Sequence, residues 1–162
     1  QIGTFTNLLK GDKEEFDFVD ELTETVYELG EKKTGALICL KRGASLEKYT
    51  SKAIHIDSIF SKRLLISIFN KKSVLHDGAV VITNERIAYA STFFPIALDI
   101  TNDKELGTRH RAALTISKET DSITLIVSEE NGKVSVAYEG RLYKELEKTF
   151  LKQLLIEKIE GR

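Results

Sequence analysis

Methionine and tryptophan are absent from the 162 residues, and cysteine and proline occur once each. Neither sign of charge prevails: Lys+Arg number 24 against Asp+Glu 25, a formal net charge of −1. Without a basic excess there is no field to hold a nucleic-acid backbone, so no nucleic acid is expected as a partner. A lone cysteine, Cys39, excludes an internal disulfide and a multi-cysteine metal site. In the apolar run GALICL it reads as a buried, inert thiol, which suits a reducing compartment. No apolar run approaches the roughly 18–20 residues that span a bilayer. A translated chain begins with Met and this one begins with Gln1, so a processed chain or a fragment is expected. The terminal IEGR, residues 159–162, matches a protease-recognition tetrapeptide of the kind left by an expression tag. It is either that or native, and carries no assigned function.

What is present suits an ordinary globular domain: 41% of residues are hydrophobic and 30% charged, enough for a real core. No repeat, low-complexity tract or linker divides the chain, so one domain is expected over 1–162, with its core at about 14–158. Phe18, Val19, Leu22, Val26 and Leu29 recur at helical spacing, predicting a helix over 14–29 with Gly30 and Gly35 as stops. ALICLK (36–41) and AIHID (53–57) suggest strands. Asp57 or Ser58 is placed to cap a helix over 59–69, with Phe60, Leu64, Leu65, Ile68 and Phe69 buried. AVVIT and IAYASTFF flank NER, and SITLIVSE and VSVAYE flank ENGK, predicting two hairpins. Helices are expected over about 108–118 and 142–158, the second burying Leu142, Leu146, Phe150, Leu154 and Leu155. The sum is an α/β domain with a central mixed sheet flanked by helices.

Polar side chains gather at three junctions of this scheme. In LHDGAVVI, His76, Asp77 and Gly78 precede a strand. Gly78 permits a tight turn or close approach to a ligand. Asp77 either caps its own turn or holds a cation or accepts a proton, and His76 is a surface residue or a metal ligand. In LGTRHR, Gly107 precedes a helix that Thr108 either caps or leaves open while its hydroxyl bonds a phosphate oxygen, and whose first turn holds Arg109, His110 and Arg111. Cations there oppose the helix dipole, at a few tenths to about 1 kcal/mol each. Either the arginines pair with Asp99, Asp103 or Glu105, or a bound polyphosphate removes the conflict, because free N–H groups and guanidinium forks then face the same anion. His110 is taken as a helix-packing residue. In IVSEENGKV, Ser128 and Glu129 leave a strand; they are solvated, or they meet a phosphate, a metal or a ribose. The chain has no Walker motif and no GxGxxG.

With Asp77-Gly78-Ala79 as a DGA motif and Arg109-His110-Arg111 as an RHR motif, the chain resembles the diadenylate cyclase (DAC) domain family. The likeness runs from about Phe18 to Leu155 and includes GALICLKRG, LLISIF, LHDGAVVI, ELGTRHRAAL and TDSITLIVSEENGKVSVA. It is nearest to the membrane-anchored bacterial type, in which a few transmembrane helices precede the domain. The resemblance implies the DAC fold and fusion of two ATP into cyclic 3′,5′-di-AMP with release of two pyrophosphates. The rival reading is a catalytically inactive ATP-binding sensor. The resemblance further implies that Asp77 assists deprotonation of the ribose 3′-OH, directly or through a metal. Gly78 and Ala79 would line the nucleotide. Gly107, Thr108 and Arg109 would bind the phosphates, with Arg111 supporting the motif. Ser128 would contact the phosphate chain, and Glu129 the metal or sugar. The metal set would be His76, Asp77 and Glu129, holding Mn²⁺ or Mg²⁺, with Co²⁺ as a further option. Adenine would lie near Phe93-Phe94, where relatives more often show Tyr-Leu; the change keeps an apolar platform and loses a hydroxyl. A homodimer would be needed for catalysis, regulatory proteins are expected partners, and the parent protein would sit at the cell membrane with this domain on the cytoplasmic side.

Overall fold

The computed structural model describes residues 18–161 and contains one mixed seven-stranded sheet. Helix α1 covers residues 18–31. It is followed by β1 (Ala36–Leu40), the single turn α2 (Glu47–Thr50), β2 (Ile54–Ile59) and α3 (Lys62–Phe69). Then come β3 (Ala79–Thr83), β4 (Arg86–Thr92), α4 (Thr108–Glu119) and β5 (Ile123–Val127). The chain closes with β6 (Val134–Tyr138), β7 (Arg141–Tyr143) and α5 (Lys148–Glu160). The strand order is β2-β4-β3-β1-β5-β6-β7, and only β1 and β3 pair in parallel. The α/β class with a mixed sheet is therefore borne out.

Strand alternation divides the core into two layers. Ala36, Ile38 and Leu40, Val80 and Ile82, and Ile123, Leu125 and Val127 face one side. There they meet Leu22, Val26 and Leu29 of α1, Leu65, Ile68 and Phe69 of α3, and Leu151 and Leu155 of α5. Leu37, Cys39, Ala79, Val81 and Ile126 face the other side, against Ala112, Ala113 and Ile116 of α4. The small alanines let α4 lie close to the sheet. Burial pushes the Cys39 thiol up to about 11, as expected of an inert thiol.

Four expectations are corrected. Helix α1 continues through Gly30, which is not a stop; residues 14–17 of the expected helix lie outside the described ones. Ser61, rather than Asp57 or Ser58, caps α3 by accepting from the Leu64 N–H at 3.3 Å. The residues before it extend β2 to Ile59, through a bulge at which Asp57 takes φ 51°. The expected helix over 142–158 begins only at Lys148. Glu139 (φ 51°) and Gly140 (φ 75°) form a tight hairpin, so Leu142 pairs with Ala137 in β7 instead. Within α5 Leu155 is buried as expected, but Leu151 is buried with it while Phe150 faces solvent.

Candidate active site

Sheet register collects the three polar junctions at one end of the fold. Ile38 of β1 lies beside Val80 of parallel β3, and Ala36 pairs with Val127 of antiparallel β5. The entries of β1 and β3 and the exit of β5 therefore share an edge. Gly35, Gly78 and Ser128 each stand one residue beyond their strands there. Strands β3 and β5 flank β1, so the first and third junctions are about 10 Å apart across two strand spacings.

The second junction closes over this edge. Helix α4 starts at Gly107, its N-cap, with no side-chain cap and no acid in the first turn. Thr108 is thus the first helical residue and not the cap. The opening N–H groups have no helical partner and face a cleft of about 270 Å³. The cleft is lined by Gly107, Thr108, Arg109 and His110 on one side and by Ser128 and Glu129 on the other. Arg109 Nη1 lies 3.5 Å from Glu129 Oε2. Arg111 turns away from the cleft, its Nε donating to the Leu106 carbonyl (2.8 Å) and its Nη2 to the Asp103 carbonyl (2.9 Å). Neither arginine pairs with the carboxylate of Asp99, Asp103 or Glu105: Arg111 staples the approaching loop to α4 through backbone carbonyls. His110 is half-buried and borders the cleft instead of packing only against its helix. Burial, then the nearby Lys144 and Arg109 cations, hold its pKa below the ordinary value, with Glu130 opposing.

The Ser128 hydroxyl accepts from the N–H groups of Glu130 (3.2 Å) and Asn131 (3.4 Å), which shapes the β5–β6 turn. Its own proton is left to donate to an anion. The turn is fixed from behind by a backbone contact. A Cβ on Gly30 of α1 would lie 2.2 Å from the Gly132 carbonyl oxygen, and Gly132 takes φ 73°.

The first junction is built on strain that glycine relieves. Gly78 has φ 80°, and a Cβ on it would lie 3.0 Å from the Thr92 carbonyl oxygen. Strand β4 bulges opposite, with Ser91 at φ 50° and its hydroxyl donating to the Leu75 carbonyl at 3.3 Å. His76 Nδ1 is 2.7 Å from the Ser73 carbonyl oxygen, so that nitrogen carries the proton. Nε2 is left facing Asp77 Oδ1 at 3.3 Å, and the Asp77 side chain is 72% exposed. A backbone carbonyl on one ring nitrogen is the usual way of orienting the other as a metal ligand. These two donors suit an ion that takes most of its coordination from substrate and water. Among the described residues no cluster of three or more His, Cys, Asp or Glu could cage one. Glu129, expected with His76 and Asp77, is engaged by Arg109 instead.

Phe93 and Phe94 separate. Phe94 is 8% exposed and packs edge-on against Tyr49 at 5.5 Å, so it belongs to the core and offers adenine no face. Phe93 is 65% exposed and is the one free ring of the pair. His76, Asp77, Gly78, Ala79, Phe93, Phe94 and Arg111 do not line the α4 cleft. Lys133, Lys144 and Glu145 do, although sequence reasoning passed over them. Lys144 and Glu145 were absorbed into an expected helix, which hid that β7 delivers them. Lys144 bonds Asp103 at 2.8 Å and Lys133 bonds Glu145 at 3.3 Å, tying the cleft's walls together. The Lys144 hydrogen bond is the main influence holding the Asp103 carboxyl below its ordinary range.

Residues 23–142 match the family model described as DAC, DisA bacterial checkpoint controller nucleotide-binding. The chain belongs to the DAC family. Among curated DAC relatives it is 42% identical over 137 residues to cyclic di-AMP synthase CdaA of Bacillus subtilis, covering 85% of this chain and 50% of that protein. It is 36% identical over 148 residues to a diadenylate cyclase of Listeria monocytogenes, covering 91% of this chain and 54% of that one. The chain thus spans about half the length of these relatives. A crystal structure of a DacA double mutant from Staphylococcus aureus superimposes with a TM-score of 0.87 at 36% identity, over 90% of this chain and 97% of that one. The architecture is therefore the DAC fold. No helix among the described residues is long and apolar enough to cross a membrane.

Proposed function

We propose that this chain is the catalytic domain of a diadenylate cyclase, joining two ATP molecules into cyclic 3′,5′-di-AMP and releasing two pyrophosphates. The observation that carries the reading is that strand register brings the DGA turn and Ser128 to one sheet edge of a DAC chain, beside the cleft that Ser128 shares with the uncapped α4 terminus and Arg109. The names of the curated relatives support the same chemistry.

Each of two equivalent steps forms a bond from a ribose 3′-oxygen to an α-phosphorus and breaks the bond to the β-phosphate oxygen. The 3′-hydroxyl is a poor nucleophile at neutral pH, and the Asp77 carboxylate takes its proton. Thr108, Arg109 and the opening α4 amides hold the phosphate oxygens and the negative charge that moves onto departing pyrophosphate. One well-placed donor of this kind contributes about 3–4 kcal/mol. The Ser128 hydroxyl donates to the phosphate chain, and Gly78 and Ala79 let the nucleotide approach the β3 backbone. Glu129 holds Arg109 before substrate arrives, and Phe93 is the ring available to adenine. His76 and Asp77 would hold the divalent ion, Mg²⁺ or Mn²⁺, with Co²⁺ as a further option. When bound, it lowers the pKa of the hydroxyl and neutralises phosphate charge.

The product has twofold symmetry, and a facing pair of identical subunits, each with one ATP, supplies it. Alignment across the pair replaces an encounter and draws on the roughly 7–11 kcal/mol available to ideal positioning. In the parent protein the domain sits on the cytoplasmic side of the cell membrane and answers to regulatory proteins. Incubation with ATP and Mn²⁺, followed by mass analysis, tests the reading. Cyclic di-AMP should form with a specific activity that rises with protein concentration. ATP bound but recovered unchanged would replace the reading with that of a non-catalytic nucleotide-binding module.

A further inference from the structure

Gly35, between α1 and β1, serves the site in a way that its role as a connector does not explain. A Cβ built on it would stand 2.6 Å from Arg109 Nη1, 2.7 Å from Cζ and 3.1 Å from Nη2. All three distances fall below ordinary van der Waals contact, so the guanidinium lies across the bare Cα of Gly35. No other residue supplies so flat a seat, because every L side chain begins with the atom that is missing here. Gly35 is not among the positive-φ positions, so its backbone suits any residue. The glycine is needed for room and not for its dihedral freedom.

We infer that Gly35 is a positioning residue, the seat that fixes the Arg109 guanidinium at the β1 edge so that it meets the phosphates in one orientation. The inference rests on the cyclase reading above. A free arginine carries about 2 kcal/mol of rotamer entropy, and two contacts restrain this one. Gly35 lies under the guanidinium, and Glu129 lies 3.5 Å from Nη1. An incoming triphosphate competes for the same N–H donors as Glu129, so that contact can be exchanged when substrate binds. The seat on Gly35 uses no donor and stays in place, leaving the N–H fork free to re-pair with phosphate oxygens. It thus keeps the arginine oriented while its partner changes.

The test is Gly35→Ala. The added methyl must displace the guanidinium by about 1 Å to restore contact distance, and a misplacement of that size costs up to about 100-fold in rate. Cyclic di-AMP formation from ATP and Mn²⁺ should fall by about 10- to 100-fold. The melting temperature should be unchanged or slightly higher, since Gly→Ala at an unstrained position stabilises. Affinity for 3′-deoxy-ATP, which binds but lacks the attacking hydroxyl, should weaken. The same substitution in an Arg109→Gln background should change that affinity no further, a coupling that a purely structural role of Gly35 would not produce. Wild-type rates in Gly35→Ala, or an equal loss of affinity with and without Arg109, would overturn the inference. A wild-type chain that makes no cyclic di-AMP would overturn the cyclase reading instead, while the affinities would still report on the seat.

Discussion

Gly30→Ala sets two opposing effects against each other. Gly30 lies inside α1, where alanine normally stabilises by about 1 kcal/mol through helix propensity and lost unfolded-state freedom. Here the new Cβ would stand 2.2 Å from the Gly132 carbonyl oxygen and 3.4 Å from its carbonyl carbon. Both are backbone atoms, and no rotamer relieves the contact. Either α1 or the β5–β6 turn must shift by about 1 Å, and with backbone on both sides of so short a contact the overpacking falls in the upper part of the usual range, about 2–3 kcal/mol. The clash outweighs the propensity, and we expect net destabilisation of about 1–2 kcal/mol. For a chain of 162 residues that lowers the melting temperature by about 2–8 °C. The turn carries Ser128 and Glu129, so cyclase turnover should fall more steeply than stability does. Urea titration and product analysis on the same preparation read both effects. A variant as stable as wild type, or more so, would show that helix propensity prevails and that the contact does not position the turn.

Asp77→Asn keeps the shape of the turn but removes the proton acceptor; 3′-deoxy-ATP binding should persist while cyclic di-AMP falls below detection, and retained turnover would refute the assignment. Arg111→Lys loses the fork that grips two carbonyls, and should cost about 1–3 kcal/mol in urea titration and expose residues 99–107 to protease. A resistant loop would show that the staple is dispensable. His110 has a folded-state pKa below its ordinary 6.5. The folded state therefore binds fewer protons than the unfolded one just beneath that value. Stability should be fully present above about pH 6.5 and decline as pH falls below it, with a shallower decline in His110→Gln. Melting temperature against pH reads this, and equal slopes would show that His110 is not the group responsible.

Much of the fold was legible because hydrophobic periodicity is local. The helical spacing of Leu22, Val26 and Leu29, the short apolar runs of β1, β3 and β5, and the turn at Asn131-Gly132 all reappear as elements. The misread boundaries are places where long-range pairing overruled the local pattern. Leu142 fits a helical stripe as well as a strand, and only pairing with β6 decides between them. Ile59 fits the expected α3, but β2 takes it up by pairing with Arg86. The DGA, RHR and Ser128-Glu129 groups were visible as chemistry out of place: glycine before a strand, and cations at a helix N-terminus.

By itself, the sequence determined the buried stripe of α1, the apolar strands at the centre of the sheet, the turn at Asn131-Gly132 and which side chains carry charge, because those properties depend on neighbours a few positions away. Tertiary structure alone decided what each charge faces. It sent Arg111 to backbone carbonyls and laid Arg109 over Gly35 and beside Glu129. It also buried Phe94 while leaving Phe93 free, and brought Lys133 and Lys144 into the cleft through β6 and β7. Those outcomes depend on strand register and on contacts a few ångströms wide between residues far apart in the chain, and no local pattern encodes them.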